Sequence, residues 1–402
     1  MSARTARQAW HRAVPATAVA AGFLAVLVSY SGPLLIYLSA ADAMSVSNGT
    51  FSSWVFAISI AAGLSSILLS LWLRLPIAMA WSAPGTVLLI SGGASLSIPE
   101  MIGAYLAVAV ALVLIGLSGL FERLVEVLPP VVTNGMMAGI LFGFGLAAAR
   151  GLASDPVTVM SLLAAFVVFS VALPRYAMLC LLVFAVVVTA MESNLPLARL
   201  GLSMASPEMA YPGFSLSAML GLALPLLITT LSGQYLPGMA ILRANGFVVS
   251  ARPILIFGGI ASAGAALFGG ITTALASITA AFCAGPDSHA DPAKRYLAGV
   301  ACGLFFCLGG IFSGTIVDLL VVLPAEIIAL LAGLALLGPI QKFLSDMVAG
   351  GDSHAGLLTF LFTTSGVSLY GIGAAFWGVA VGLAVFHLTR WLRKMRAGIE
   401  RR

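Results

Sequence analysis

Two short stretches hold residues whose types and spacing suit the binding of an anion. In RLPIAMAWSAPGTVLLISGG (Arg74–Gly93), Pro76, Pro84 and Gly85 bracket Trp81 and Ser82. In FGGITTALASITAAFCAGP (Phe268–Pro286), Gly269-Gly270 precede Thr272 and Thr273. A hydroxyl residue ahead of a short apolar run is a helix N-cap, and proline suits the first turn because its missing N–H costs nothing there. The first stretch therefore reads as an extended approach over Leu75–Trp81, then a helix from Ser82 to Ser91. At about 3.3 Å per extended residue and about 1.5 Å per helical one, the pieces span roughly 23 Å and roughly 15 Å. Together they could cross an apolar bilayer core, with the helix beginning near its middle. The second stretch repeats the pattern, with Thr272 or Thr273 as the cap and a helix running to Ala284. Each helix start offers unpaired N–H donors and about half a positive charge. Two such ends pointing at each other make an anion site that needs no arginine.

A third stretch, SGQYLPGMAILRANG (Ser232–Gly246), carries Gln234 and Tyr235 just before a Pro237-Gly238 break. An amide inside an apolar run is costly unless something bonds to it, so Gln234 is a candidate substrate contact. Alignment on Pro33 and Pro237 makes Tyr30 its counterpart. Tyr30, Trp81 and Tyr235 are candidates to flank a flat ring. Together with Ser82, Thr272 and Thr273 they complete the expected substrate-binding set. The acids that fall in or near apolar runs are Asp42, Asp318 and Glu326. Glu326 stands where the other half of the chain has Val131, which makes it the candidate for proton coupling.

These residues sit in a chain that is 61% hydrophobic and 8% charged, against about a quarter charged for a soluble domain. The sequence reads as an all-α polytopic membrane protein. Apolar runs fall near 14–41, 51–73, 76–91, 99–121, 129–149, 156–173, 176–191, 216–242, 253–268, 270–285, 296–312, 315–338, 355–370 and 372–391. That is fourteen transmembrane segments, of which the third and tenth are short and broken. With both termini cytoplasmic, 17 of the 19 Lys and Arg fall on the inside and only Arg150 and Arg199 outside, as cytoplasmic loops require. The basic N-terminal residues Arg4, Arg7 and Arg12 precede an apolar run longer than a secretion signal needs, so it is expected to remain as a span.

Fourteen divides into two inverted seven-span repeats. LVEVLPPVVTNGMMAGILFGFG (Leu124–Gly145) resembles LLVVLPAEIIALLAGLALLGP (Leu319–Pro339), with the Leu-Pro pairs 195 positions apart. Because seven is odd, the halves cross in opposite senses, a pattern of secondary transporters. The expected repeats cover 13–191 and 216–393, joined by 192–215.

On SGQYLPGMAILRANG, FGGITTALASITAAFCAGPDSHADPAKRY and LPPVVTNGMMAGILFGFG, the chain resembles the benzoate–proton symporter family of bacterial inner membranes, over essentially its whole length. The resemblance implies import of an aromatic carboxylate with protons by alternating access, and a fold shared with uracil and sulfate permeases. It also implies a core domain of about 14–121 and 216–312 moving against a gate domain of about 122–191 and 313–393. The uracil-type relatives look similar but use acids in spans eight and ten, where this chain has Gln234 and the neutral Thr272 and Thr273.

Other classes fit less well. No cofactor or metal is expected, since Cys180, Cys283, Cys302 and Cys307 lie scattered in apolar runs. The basic residues follow topology, which argues against nucleic acid. His11, His289, His354 and His387 lie at ends or in loops, so no nucleophile–base pair for an enzyme is visible. No G-x-x-x-x-G-K-[ST] motif for a pump is present. An anion channel, a carrier of another small anion and a nucleobase-type permease are the alternatives. Gly299-x-x-x-Gly303 is compatible with a homodimer but too common to decide it.

Overall fold

The computed structural model describes residues 15–89, 96–121, 129–150, 156–174, 176–192, 201–321, 323–349, 352–367 and 374–399, with a few single positions between. The expected end of the first half-helix at Ser91 lies outside them. The helices of the first half are α1 (Ala16–Ser31), α2 (Pro33–Ala43), α3 (Asn48–Leu73), α4 (Ala83–Leu88), α5 (Ile98–Ser118), α6 (Pro130–Arg150), α7 (Pro156–Ala172) and α8 (Ala177–Glu192). Those of the second are α9 (Leu216–Ala244), α10 (Ala251–Ala266), α11 (Ser277–Ala284), α12 (Tyr296–Ile311), α13 (Ser313–Val321), α14 (Ala325–Ala335), α15 (Leu337–Val348), α16 (Ser353–Thr364) and α17 (Ala374–Ile399). Strands β1 (Met79–Trp81) and β2 (Thr273–Leu275) precede α4 and α11.

Among the described residues six helices are long and apolar enough to cross a membrane, or seven if the bent pair α13–α14 counts as one span. The twelfth apolar run, expected over 315–338, is not one helix. It divides into α13 and α14, which meet at an angle of 110°. The helical path then goes on through α15 to Val348. Pro324, which cannot extend the preceding helix, is the N-cap of α14. The polar Gln341, Lys342 and Asp346 of α15 hid this continuation from a hydropathy reading.

The core packs α3 against α12 and α5 against α10. Backbones touch there because side chains are missing where they would collide. A Cβ on Gly63 would come within 2.7 Å of the Gly303 carbonyl, and one on Gly303 within 2.5 Å of the Gly63 carbonyl. Gly299 faces Ser70 and the Ile77 carbonyl. The Gly299-x-x-x-Gly303 pair is thus used inside the chain.

Broken backbone in an apolar surround must find partners, and serines on the neighbouring helices supply them. Ser70 Oγ on α3 accepts from Ile77 N–H (3.2 Å) and Ser66 Oγ from Met79 N–H (2.8 Å). On the other side Ser262 Oγ of α10 accepts from Thr273 N–H at 2.8 Å. The segment 201–213 runs across the helix ends. Its Ala205, Ala210 and Gly213 N–H groups donate to the carbonyls of Ile311, Leu267 and Pro99. Ser53 Oγ accepts from Glu208 N–H at 2.8 Å and also lies within hydrogen-bond reach of the Phe268 carbonyl.

Candidate functional site

β1 and β2 pair antiparallel, with Met79 opposite Leu275, Ala80 opposite Ala274 and Trp81 opposite Thr273. Ser82 N–H extends the pairing to the Thr272 carbonyl at 2.9 Å. The two half-helices leave this ladder from opposite ends, so their first turns flank one region.

The two ends differ in their capping. Ser82 is the N-cap of α4: its Oγ accepts from Gly85 N–H at 3.2 Å, and Pro84 sits in the first turn. On α11 the expected cap by Thr272 or Thr273 is not what forms. Both threonines are drawn into the ladder region, the helix starts later at Ser277, and the N-cap is Ala276, which has no side-chain acceptor. The first-turn N–H groups of Ser277, Ile278 and Thr279 are therefore left uncapped. The far end of α11 is held tightly. Ser288 Oγ donates to the Cys283 carbonyl at 2.7 Å, and the buried Arg295 donates to the Ala284 carbonyl at 2.9 Å. A cation there complements the C-terminal end of the helix dipole.

A cavity of about 850 Å³ opens beside these helix starts. Ala83 and Pro84 of α4 and Ser277 and Ile278 of α11 border it, as do Ser232 and Gln234 of α9. α9 makes a π-helical turn over Leu231–Tyr235, immediately before Pro237. Such turns interrupt the regular ladder and recur at functional sites. The Gln234 amide has no hydrogen-bond partner among the described residues, and 8% of the residue is exposed. The opposite wall is α6, through Pro130, Thr133, Asn134, Met137 and Leu141, together with Ala335 of α14, the linking Leu336, and Lys342, Phe343 and Asp346 of α15. Lys342 and Asp346 form an ion pair and are the only ionisable side chains on the lining among the described residues.

The other expected substrate contacts lie behind this lining. Tyr30, Trp81 and Phe306 form a ring cluster with centroids 5.7 to 5.9 Å apart. Tyr30 OH bonds Ser59 Oγ at 2.7 Å, whereas Trp81 Nε1 is buried with no partner among the described residues. Tyr235 is wholly buried, donates to the Thr273 carbonyl at 3.2 Å and lies against Gly258. Thr272 and Thr273 are buried, with their hydroxyls unpartnered among the described residues. Of the eight residues expected from sequence, only Gln234 borders the cavity, with Ser82 directly behind Ala83. Glu326 is exposed in the first turn of α14 and does not border it.

Sequence reasoning missed Ser277, Asn134, Lys342 and Asp346. Ser277 was within reach, since the offset of 195 between the Leu-Pro pairs carries Ser82 onto Ser277 and not onto Thr273. The others depend on which face of α6 and α15 turns inward.

Paired broken helices beside an apolar cavity between two helical walls define a membrane transporter fold. The transmembrane domain of the bicarbonate transporter BicA of a cyanobacterium superposes with a TM-score of 0.60 at 17% identity, covering 92% of this chain and 97% of that one. The family model described as "Benzoate membrane transport protein" matches residues 12–388, and the chain belongs to that family. It is 42% identical to the Benzoate membrane transport protein of Acinetobacter baylyi, over 96% of this chain and 97% of the relative. It is 34% identical to the Inner membrane protein YdcO of Escherichia coli, over 92% and 95%.

Proposed function

We propose that this chain is a secondary transporter that carries a benzoate-like aromatic carboxylate, with protons, across the bacterial inner membrane by alternating access. The observation that carries the proposal is the uncapped first turn of α11 beside the free amide of Gln234, both on an apolar cavity. Backbone N–H donors and one amide suit a single carboxylate, and the apolar walls suit a ring. The name of the Acinetobacter relative agrees with this substrate. Tyr30, Trp81, Tyr235, Thr272 and Thr273 are assigned a supporting part behind the lining, Ser82 the capping of α4.

The chain is taken to cross the membrane fourteen times as two inverted repeats, with both termini cytoplasmic. Support comes from the ladder: its middle pair, Ala80 and Ala274, are 194 positions apart, close to the offset of the Leu-Pro pairs. Under that topology Lys342, Asp346 and Pro130 lie toward the cytoplasm, so the cavity is open inward and α6, α14 and α15 belong to the gate. Two acids compete for the proton: Glu326, the one singled out by sequence, and Asp346, which borders the cavity.

The test is uptake of labelled benzoate into vesicles containing the purified protein, with and without an imposed pH gradient. Salicylate, uracil, sulfate and aliphatic acids serve as competitors. Saturable uptake that follows the gradient and is displaced by salicylate is expected. Displacement by uracil or sulfate alone, or a conductance of channel size, overturns the proposal.

A further inference from the structure

The gate wall carries a second unpartnered amide. Asn134 of α6 borders the same cavity as Gln234 and has no hydrogen-bond partner among the described residues. A carboxamide in an apolar surround is retained at a cost unless it meets a partner.

Its position is set by two contacts of its own helix. On one face Gly135 and Gly139 let α6 lie against α16, where a Cβ on Gly135 would come within 2.3 Å of the Gly356 carbonyl. That fixes the rotation of α6 and turns Pro130, Asn134, Met137 and Leu141 toward the cavity. Met137 then reaches the other wall. Its methyl group would meet a Cβ on Gly233 at 2.9 Å, and Pro84 adjoins the same point. Asn134 lies one turn from Met137, so the two walls come together within a turn of both amides.

We infer that Asn134 is the gate-side contact of the transported carboxylate, donating its side-chain N–H to one carboxylate oxygen while Gln234 and the first turn of α11 hold the other. The inference rests on the proposed aromatic-carboxylate substrate. It makes the substrate itself the link between the walls and Asn134 a specificity determinant for charge. Asparagine, aspartate and leucine share one branched skeleton of four side-chain heavy atoms, so the residue can be changed in charge and polarity with little change in shape.

The experiment measures benzoate binding by titration calorimetry on the purified full chain carrying Asn134→Gln, Asn134→Leu or Asn134→Asp, with the melting temperature of each. The expected order is charge-dependent. Gln stays closest to wild type, Leu loses about tenfold in affinity and Asp at least a hundredfold, because it sets a like charge against the carboxylate. A residue that only packs gives affinities ordered by melting temperature, with Asp no worse than Leu, and that result overturns the inference. If the Asp variant does not fold, the Gln–Leu difference at equal melting temperature decides. If the wild type ignores benzoate but binds another anion of the competition panel, the substrate reading fails and the same order measured with that anion decides Asn134.

Discussion

Trp81 and Thr273 stand opposite each other at one end of a three-pair ladder that joins two segments nearly two hundred residues apart in the chain. The pairing places both half-helix starts in one region, and it leaves one start capped by Ser82 and the other open at Ala276. Under the proposed function, that asymmetry makes α11 the anion-receiving end.

Gln234 borders the same cavity as this end. If it holds the carboxylate as proposed, replacing it with alanine removes a hydrogen bond to a charged group, about 1.5–3 kcal/mol. Benzoate affinity in Gln234→Ala is expected to fall by roughly tenfold or more, with the melting temperature little changed. Calorimetric titration checks this; wild-type affinity at normal folding would remove Gln234 from the site.

Tyr235 is its neighbour in sequence and is proposed to support the site from behind the lining. Tyr235→Phe deletes the bond to the Thr273 carbonyl, which keeps Ser262 Oγ at 3.2 Å as its other side-chain partner, at about 0.5–1.5 kcal/mol. A lowered melting temperature with substrate affinity within about twofold is expected. A large loss of affinity without destabilisation would put the phenol on the substrate.

Ser53 fastens the segment 201–213 to the core by its bonds to Glu208 and Phe268. Ser53→Ala is expected to cost about 1–3 kcal/mol through the unsatisfied backbone groups. Thermal unfolding in detergent, alongside an unchanged benzoate titration, is the measurement.

For the proton, Asp346→Asn is expected to blunt the response of uptake to an imposed pH gradient and Glu326→Gln to leave it intact, because only Asp346 borders the cavity. Gradient-driven uptake in both variants checks it. Uncoupling in Glu326→Gln alone would return the coupling role to Glu326.

Much of this was legible without the fold. Hydropathy marks most of the helices, since an apolar stretch of span length leaves no other solution. The prolines and glycines of 74–93 and 268–286 disclose the two breaks, because residues that end helices do so locally. Ser82 as a cap with Pro84 behind it follows from the same local chemistry.

What needed the tertiary structure was rotation and pairing. Strand pairing, a contact between distant segments, took Thr273 out of the cap position and moved the start of α11 to Ser277. Glycine contacts between helices turned Asn134 inward, and the bend before α14 separated Glu326 from the cavity while α15 brought Asp346 to it. Composition and spacing set where a backbone must break and what kind of guest the break suits. Which side chains meet that guest depends on how helices rotate against one another, and that is decided by contacts no single segment contains.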